Sequence, residues 1–187
     1  VISKAIRSHF FFFFFPKTTH LIYNGVASAQ EIEHFYHLGL LEPRAEGAYT
    51  FALVGLISKN KGQDIAIQAF AKLTQYVSCP VRLLIVGAGD STKLKALTQK
   101  LGVAESVEFW GHIDDPYRAY LTADAVLMCS KNEGMGRVTV EAMTACRPVI
   151  GFDSTGTSEV IENEKTGLLY RGGAEQLSEC MRKLVQN

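Results

Sequence analysis

The sequence predicts an α/β domain built on a doubly wound parallel sheet. From residue 49 onward, short β-branched runs alternate with amphipathic helical patterns, which is typical of consecutive βα units. Glycines and charged residues follow several predicted strands, at the positions where a Rossmann-like fold binds its ligands. With 187 residues, 47% of them hydrophobic, the chain has room for one such sheet and its core.

The strands are assigned from short apolar runs, which indicate strands buried on both faces. In chain order, the predicted strands cover residues 49–56, 81–86, 107–109, 125–129, 148–152 and 167–170. Residues 21–23 form a weaker candidate for an additional edge strand.

The helices are assigned from apolar residues that repeat on one face and from residues that favour helix ends. Predicted helices cover residues 63–76, 137–145 and 158–162, and a final helix begins at Ala174. Asp90 or Ser91 caps a further helix that Gly102 ends, and Pro116 opens another. Before residue 49, a capping box of serine 28 and glutamate 31 predicts a helix that ends at residue 39.

Charge and cysteine content narrow the function classes. Nineteen basic residues balance nineteen acidic ones, so no extended basic surface for nucleic acid or anionic lipid is expected. The four cysteines form no CxxC pair, and Cys129 and Cys146 lie in apolar stretches, which predicts reduced, buried thiols in a cytosolic protein. The phenylalanine run at 10–15 is too short to span a membrane. It is expected to pack on a neighbouring lobe, and an interfacial membrane anchor stays open as an alternative.

Two glycine-containing loops follow the first two strands. The loop at 55–62 contains two glycines and two lysines, which suit a phosphate, although an ordinary solvated loop is an equal alternative. The loop at 87–90 contains Gly87 and Gly89, but Thr92 occupies the third glycine position of the dinucleotide-binding fingerprint. We therefore expect these two glycines to serve a tight turn.

The segment 130–141 carries the strongest functional signal. Gly134 and Gly136 free the backbone at a helix start, where amide N–H groups and the helix dipole favour a diphosphate. Arg137 lies at the unfavourable end of that dipole, so we expect an anion near it. Glu133 and Glu141 can face one cleft and accept hydrogen bonds from sugar hydroxyls. The alternatives are that Glu133 only caps the helix and that Glu141 is solvated.

The histidines carry weaker signals. His34 and His37 stand three residues apart on a predicted helix, but without a further ligand a solvated face is favoured over a metal site. His112 follows a strand, where a ligand contact and a structural role are both open. There is no nucleophile elbow and no zinc-protease helix.

Residues from about 21 to 186 resemble the C-terminal lobe of the GT-B glycosyltransferases of family four. The order and spacing of the matching segments, rather than any one of them, carry the resemblance. They are residues 23–26, 55–62, 84–89, 107–111, 123–125, 130, 133–141, 148–150, 156, 159 and 165–169.

The resemblance implies a retaining transferase whose donor is a nucleotide-diphosphate sugar, with no metal and no other cofactor. Lys61 and Glu133 would be catalytic, Glu141 would bind the ribose hydroxyls, and the backbone at 111–113 would lie by the base. The implied donor-binding set is Gly55, Lys61, Gly111, His112, Ile113, Glu133, Gly134, Met135, Gly136, Arg137, Val138 and Glu141. Two residues depart from the family pattern: Leu56 stands where arginine is usual, and Cys146 stands where glycine is usual.

The resemblance also implies a domain organisation. Residues 1–20 would be the remnant of an interlobe segment, and residues 21–187 the nucleotide-sugar-binding domain. An absent N-terminal lobe would bind the acceptor, a glycan or lipid-linked sugar, so this lobe alone is expected to be inactive. The expected setting is cytoplasmic synthesis of glycan, polysaccharide or glycolipid, with peripheral membrane contact left open. The alternatives are a non-catalytic module, such as the donor half of a split transferase, and a GT-B-like epimerase.

Overall fold

The structure is a computed structural model that describes Lys4, Ile22 and residues 25–41 and 47–186. Of Tyr36 and residues 38–41 it describes the backbone alone. The phenylalanine run at 10–15 lies outside the described residues, so its interpretation stays a prediction. Of the predicted edge strand at 21–23 the structure describes Ile22, which is 68% exposed and belongs to no strand, and the strand as a whole stays a prediction.

Six parallel strands form the sheet, in the order β3-β2-β1-β4-β5-β6. Their bounds are β1 Tyr49–Val54, β2 Val81–Val86, β3 Val107–Gly111, β4 Ala125–Met128, β5 Val149–Phe152 and β6 Leu168–Tyr170. The predicted Rossmann-like, doubly wound sheet is therefore confirmed. The strand order reverses between β1 and β4, which makes the carboxyl ends of these two strands the switch point where such folds bind ligands.

Seven helices accompany the sheet in the described part of the chain. They are α1 Ala29–Leu41, α2 Gln63–Leu73, α3 Thr92–Lys100, α4 Tyr117–Thr122, α5 Arg137–Thr144, α6 Thr155–Val160 and α7 Gly173–Gln186, with 3-10 turns at Lys59–Lys61 and Ala104–Ser106. Because consecutive strands are parallel, the chain must return along the sheet between them, and most of these helices make that return.

Most helix ends lie where their capping residues predict. The Ser28 amide donates to Glu31 Oε2 at 2.8 Å, and the Glu31 amide donates to Ser28 Oγ at 3.2 Å, so the capping box is confirmed. Asp90 Oδ1 accepts from the Thr92 amide at 2.9 Å at the start of α3. Gly102 follows α3 in the left-handed region at φ 71°.

Several boundaries differ from the prediction: helix α2 ends at Leu73 rather than residue 76, and strand β3 continues past residue 109 to Gly111. Helix α1 continues past residue 39 to Leu41. Strand β1 ends at Val54, because Gly55 turns the chain at φ 153°. Helix α6 begins at Thr155 rather than near residue 158, because Thr155 adopts a left-handed conformation, at φ 47°, that its residue type disfavours.

The core has two layers because side chains alternate between the two faces of the sheet. On one face Phe51, Leu83 and Leu127 pack against helices α2 and α7. On the other face Ala52 and Val126 pack with residues of α4 and α5. The second layer lies directly beneath the loops that carry the strongest functional signal.

The cysteines do not all match the expectation of buried thiols. All four are free, but Cys129 alone is buried, Cys180 is partly buried, and Cys79 and Cys146 are exposed. Burial raises the pKa of the Cys129 thiol to about 12. The prediction was wrong for Cys79 and Cys146 because both lie in turns between elements, where the apolar neighbours in sequence do not enclose the side chain.

Candidate functional site

Two cavities open side by side at the carboxyl edge of the sheet. We call the first, of about 460 Å³, the charged cleft. Its lining residues are Lys61, Pro116, Met128, Glu133, Gly134, Met135, Gly136, Arg137, Val138 and Glu141. The structure brings Lys61 and the candidates of segment 133–141 together in one cleft, although they come from separate loops, and their role in donor binding stays a prediction.

We call the second cavity, of about 260 Å³, the apolar cavity. Its lining residues are Val54, Gly55, Leu56, Val86, Gly87, Ala88, His112, Ile113 and Pro116. Pro116 lines both cavities, so they are neighbours. The predicted residues Gly55, His112 and Ile113 are brought together here, whereas Gly111 lies beside the lining and accepts a hydrogen bond from the Gly87 amide at 2.7 Å.

An ion pair joins the two loops that face each other across the charged cleft. Lys61 Nζ lies 2.5 Å from Glu133 Oε1, with side-chain exposures of 34% and 15%. Lys61 lies in the 3-10 turn before α2, and Gly62 ends that turn at φ 70°. A Cβ on Gly62 would lie 2.7 Å from the Cys129 carbonyl oxygen, so only glycine brings the turn this close to β4.

The Glu133 backbone is held by the first residues of α6. The Glu133 amide donates to Thr155 Oγ1 at 3.0 Å, and its carbonyl accepts from the Gly156 amide at 2.9 Å. Thr155 has φ 47°, an unfavourable conformation for a β-branched residue. The N-cap of α5 is Gly136 at φ 70°, so the alternative that Glu133 only caps this helix is wrong.

Glu141 lies almost out of contact with solvent, at 7% exposure, so the solvated alternative is wrong. Its Oε1 is 3.0 Å from Arg137 Nη2, one turn earlier on α5. Its Oε2 accepts a hydrogen bond from the Tyr120 hydroxyl at 2.7 Å. Glu141 also supplies the anion expected beside Arg137. A buried carboxylate requires such partners, because desolvation otherwise disfavours its charge.

Sequence reasoning did not single out Tyr120. Its side chain is fully buried in the second core layer. Burial and the neighbouring Glu141 charge raise its pKa, so the phenol stays protonated and donates. The signal was a tyrosine within a short apolar helix, since a buried phenol usually finds a hydrogen-bond partner.

Arg147 and Thr155 were missed as well. The Arg147 guanidinium donates to the carbonyls of Tyr120 and Leu121, each at 3.1 Å, and the residue is buried. Neither Arg147 nor Thr155 belongs to a motif that a single sequence makes visible, because both act on backbone atoms of distant segments.

The loops after β1, β2 and β3 form one wall of the apolar cavity. The Gly55 amide donates to the Val86 carbonyl at 2.8 Å, and the Ile57 amide donates to the Ala88 carbonyl at 2.7 Å. A Cβ on Gly87 would lie 2.0 Å from the Gly55 carbonyl oxygen. Backbone approach between neighbouring loops thus accounts for Gly87, in agreement with the expected tight turn.

The two departures from the family pattern have different structural outcomes. Leu56 is 59% exposed at the rim of the apolar cavity, where it supplies no charge. Cys146 has a left-handed conformation, at φ 57°, which is the conformation expected of the glycine that is usual at this position. The cost of that conformation for a non-glycine residue is roughly 1 kcal/mol.

Among the described residues, no histidine belongs to a cluster that could hold a metal ion. His112 is largely exposed, and its Nε2 lies 3.5 Å from Asp114 Oδ1. His34 packs edge-on against Phe35, with ring centroids 5.5 Å apart. Within residues 25–41 and 47–186, no group of three or more His, Cys, Asp or Glu residues is arranged to hold a metal. No helix in the same residues is both long and apolar enough to cross a membrane.

Comparison with known families and proteins gives a consistent result. The model of the family described as glycosyl transferases group 1 matches residues 42–187. Over 134 residues the chain is 33% identical to the lipopolysaccharide glucosyltransferase WaaG of Escherichia coli, covering 71% of this chain and 36% of that protein. It is 31% identical over 131 residues to a phosphatidyl-myo-inositol mannosyltransferase of Mycobacterium leprae, covering 68% and 34%.

Solved structures give the same fold. The crystal structure of Anabaena HepE in complex with UDP and glucose aligns with a TM-score of 0.73 at 26% identity, covering 90% of this chain and 48% of that chain. The crystal structure of WaaG aligns with a TM-score of 0.70 at 28% identity, covering 86% and 43%. The chain spans about a third of the length of the curated relatives it matches.

Proposed function

The chain belongs to the group 1 glycosyl transferases, and on that premise we propose that it is the C-terminal, donor-binding lobe of a retaining GT-B enzyme of family four. The observation that carries the proposal is the charged cleft, where Lys61, Glu133, Arg137 and Glu141 converge at the switch point of the sheet. That edge is where doubly wound folds bind nucleotides.

In this proposal each cavity binds a different part of the donor. The charged cleft takes the diphosphate, ribose and sugar, because its walls carry two cations and two carboxylates. The apolar cavity takes the base, which would lie against Ile113 and the backbone near Gly111 and His112. UDP is the first donor nucleotide to test, since HepE was solved with it.

The phosphates require cationic and amide contacts. Lys61 reaches the cleft from the turn before α2, and Arg137 lies in the first turn of α5. The backbone from Gly134 to Gly136 leads into that helix, whose first amides have no partner within the helix. Anion binding there would explain a glycine-rich helix start that lacks a side-chain cap.

Transfer breaks the bond between the anomeric carbon and the diphosphate oxygen, and the leaving diphosphate keeps the electron pair. Lys61 and the amides at the start of α5 would stabilise this developing charge, a role that some transferases give to a metal. Glu133 would contact the sugar; its carboxylate lines the cleft beside Lys61, which supports this role. We propose that no metal is needed and that the anomeric configuration is retained.

The acceptor would be a glycan or lipid-linked sugar that a second lobe presents. The names of two curated relatives mention lipopolysaccharide and phosphatidyl-myo-inositol. We therefore place the reaction in glycan, polysaccharide or glycolipid synthesis on the cytoplasmic side, with peripheral membrane contact. This chain by itself would bind donor and transfer little or no sugar.

Isothermal titration of the purified chain with UDP, GDP and ADP tests the proposal, with NAD as a negative control. We expect saturable binding of one nucleoside diphosphate and a loss of at least about tenfold in affinity for Glu141→Ala, because a charged hydrogen-bond acceptor is removed. Glu105→Ala is the control, since Glu105 is exposed and lines neither cavity.

Circular dichroism of each variant ensures that a weaker titration does not reflect unfolding. Absence of nucleotide binding by the folded chain would contradict the donor-lobe proposal and favour a non-catalytic or partner-dependent module, such as half of a split transferase. Conversion of one nucleotide sugar into another without an acceptor would instead indicate an epimerase.

A further inference from the structure

We infer that Tyr120 is a positioning residue that fixes the Glu141 carboxylate for the ribose hydroxyls of the donor nucleotide. The inference rests on the proposed function, which assigns the ribose to Glu141. It adds a buried residue from a different helix, in the core layer beneath the cleft, and it assigns separate tasks to the groups that contact Glu141.

The two oxygens of Glu141 face unlike partners. Oε2 accepts from the Tyr120 hydroxyl at 2.7 Å, and the Tyr120 side chain has no solvent exposure. Oε1 pairs with Arg137 Nη2 at 3.0 Å, and the Arg137 side chain is 69% exposed. Tyr120 is therefore the fixed partner, whereas Arg137 can exchange Glu141 for another anion by a rotation of its side chain.

This division matters when a nucleotide enters. Its phosphates compete for Arg137, which lines the same cleft as Glu141. If Arg137 were the sole partner, its departure would leave a buried carboxylate unpaired and free to rotate. The Tyr120 hydroxyl keeps one oxygen in place, and a carboxylate retains further lone pairs for the two ribose hydroxyls.

Tyr120 is itself held firmly. The Arg147 guanidinium donates to the carbonyls of Tyr120 and Leu121 at 3.1 Å each and so ties down the end of α4. The Tyr117 ring packs perpendicular to the Tyr120 ring, with centroids 5.6 Å apart. A hydroxyl fixed in this way preorganises the carboxylate, so less side-chain freedom is lost when the ribose binds.

The test compares two ligands, UDP and 2′,3′-dideoxy-UDP, or the corresponding pair for whichever base the chain prefers. We expect the chain to bind the ribose form at least about tenfold more tightly, because the deoxy form leaves Glu141 without its diol. Tyr120→Phe should reduce this preference to within about threefold. The loss should fall on the ribose form and leave the affinity for the dideoxy form unchanged.

Tyr170→Phe is the matched control, since Tyr170 is equally deep in the core but lies on β6, outside both cavities. It should leave the ribose preference intact. If Tyr120 had a merely structural role, Tyr120→Phe would weaken the binding of both ligands equally. An unchanged ratio of the two affinities in Tyr120→Phe therefore overturns the inference.

A double-substitution cycle provides a second readout. If Tyr120 acts through Glu141, the pair Tyr120→Phe with Glu141→Gln should lose no more ribose preference than Glu141→Gln alone. Additive losses overturn the inference. A chain that binds nucleotide without preferring ribose contradicts the proposed role of Glu141 itself, whereas a strong preference that survives Tyr120→Phe contradicts Tyr120 alone.

Discussion

The loops along the carboxyl edge of the sheet are held together in two different ways. After β1, β2 and β3, neighbouring loops are joined backbone to backbone, through the Gly55, Ile57 and Gly87 amides. After β4 and β5, side chains add to a backbone contact. The Gly156 amide donates to the Glu133 carbonyl, Thr155 Oγ1 accepts from the Glu133 amide, and the Glu133 carboxylate pairs with Lys61 of the loop after β1. The first group of loops forms most of the apolar cavity, and the second forms most of the charged cleft.

The two kinds of contact act on different properties: backbone contacts fix the shape of the apolar cavity, and side-chain contacts set the charge of the charged cleft. Where the backbones of neighbouring loops touch at a glycine, there is no space for a side chain, so the wall tolerates no added side chain. Side-chain contacts allow charge to be placed in the cleft, and an isosteric substitution can remove that charge without disturbing the packing. We therefore expect the apolar cavity to be sensitive to volume and the charged cleft to be sensitive to charge.

The largest effect is expected from a methyl group in the backbone-built wall. Gly87→Ala would place a Cβ 2.0 Å from the Gly55 carbonyl oxygen, at φ 147°. Steric overlap and backbone strain together should lower the free energy of unfolding by about 3 to 5 kcal/mol in urea denaturation. Gly102→Ala is the matched control: it also has a positive φ, but no atom lies within 4 Å, so about 1 to 2 kcal/mol is expected. Equal losses for the two variants would contradict the proposed close packing.

The next effect distinguishes the two carboxylates of the charged cleft. Glu141→Gln should weaken nucleoside diphosphate binding about 10- to 100-fold, because hydrogen bonds to a charged group contribute about 1.5 to 3 kcal/mol. Glu133→Gln should change it less than about threefold, since that carboxylate is assigned to the sugar rather than the nucleotide. Isothermal titration measures both variants. A Glu133 effect as large as the Glu141 effect would argue against this division of roles.

A smaller effect is expected when a positive charge is added at the rim of the apolar cavity. Leu56→Arg adds a cation at an exposed position, 59% accessible, on the rim. It should tighten nucleoside diphosphate binding about 3- to 10-fold at low salt, and the gain should shrink as salt screens the charge. Leu56→Met, similar in size but neutral, is the control. A gain that persists at high salt would indicate packing rather than charge.

The smallest effect concerns the hydroxyl that connects the two loops beside the charged cleft. Thr155→Ala removes the acceptor for the Glu133 amide and should cost about 1 kcal/mol of unfolding free energy. Thr155→Ser keeps that acceptor and should change stability by less than about 0.5 kcal/mol. Thermal unfolding of both variants checks this. If alanine is as well tolerated as serine, the hydroxyl does not hold the loop.

The sequence was most informative where the signal is local. Apolar runs gave the strands, the serine 28 and glutamate 31 pair gave a helix start, and Gly102 gave a helix end, because each depends on residues a few positions apart. The positions of Glu133 before a helix and Glu141 inside it also predicted that both face one cleft, and both line it. The start of α6 was misplaced, since Thr155 adopts a conformation that its residue type disfavours.

Local pattern thus determined the fold class and singled out Glu133, Arg137 and Glu141 as candidate binding residues. The tertiary structure decided which partner each of them has. Glu133 meets Lys61 from 72 positions earlier, and Glu141 meets Tyr120 from 21 positions earlier on another helix. Such pairs arise because parallel strands bring distant loops to one edge, and the geometry of that edge depends on the packing of the whole sheet.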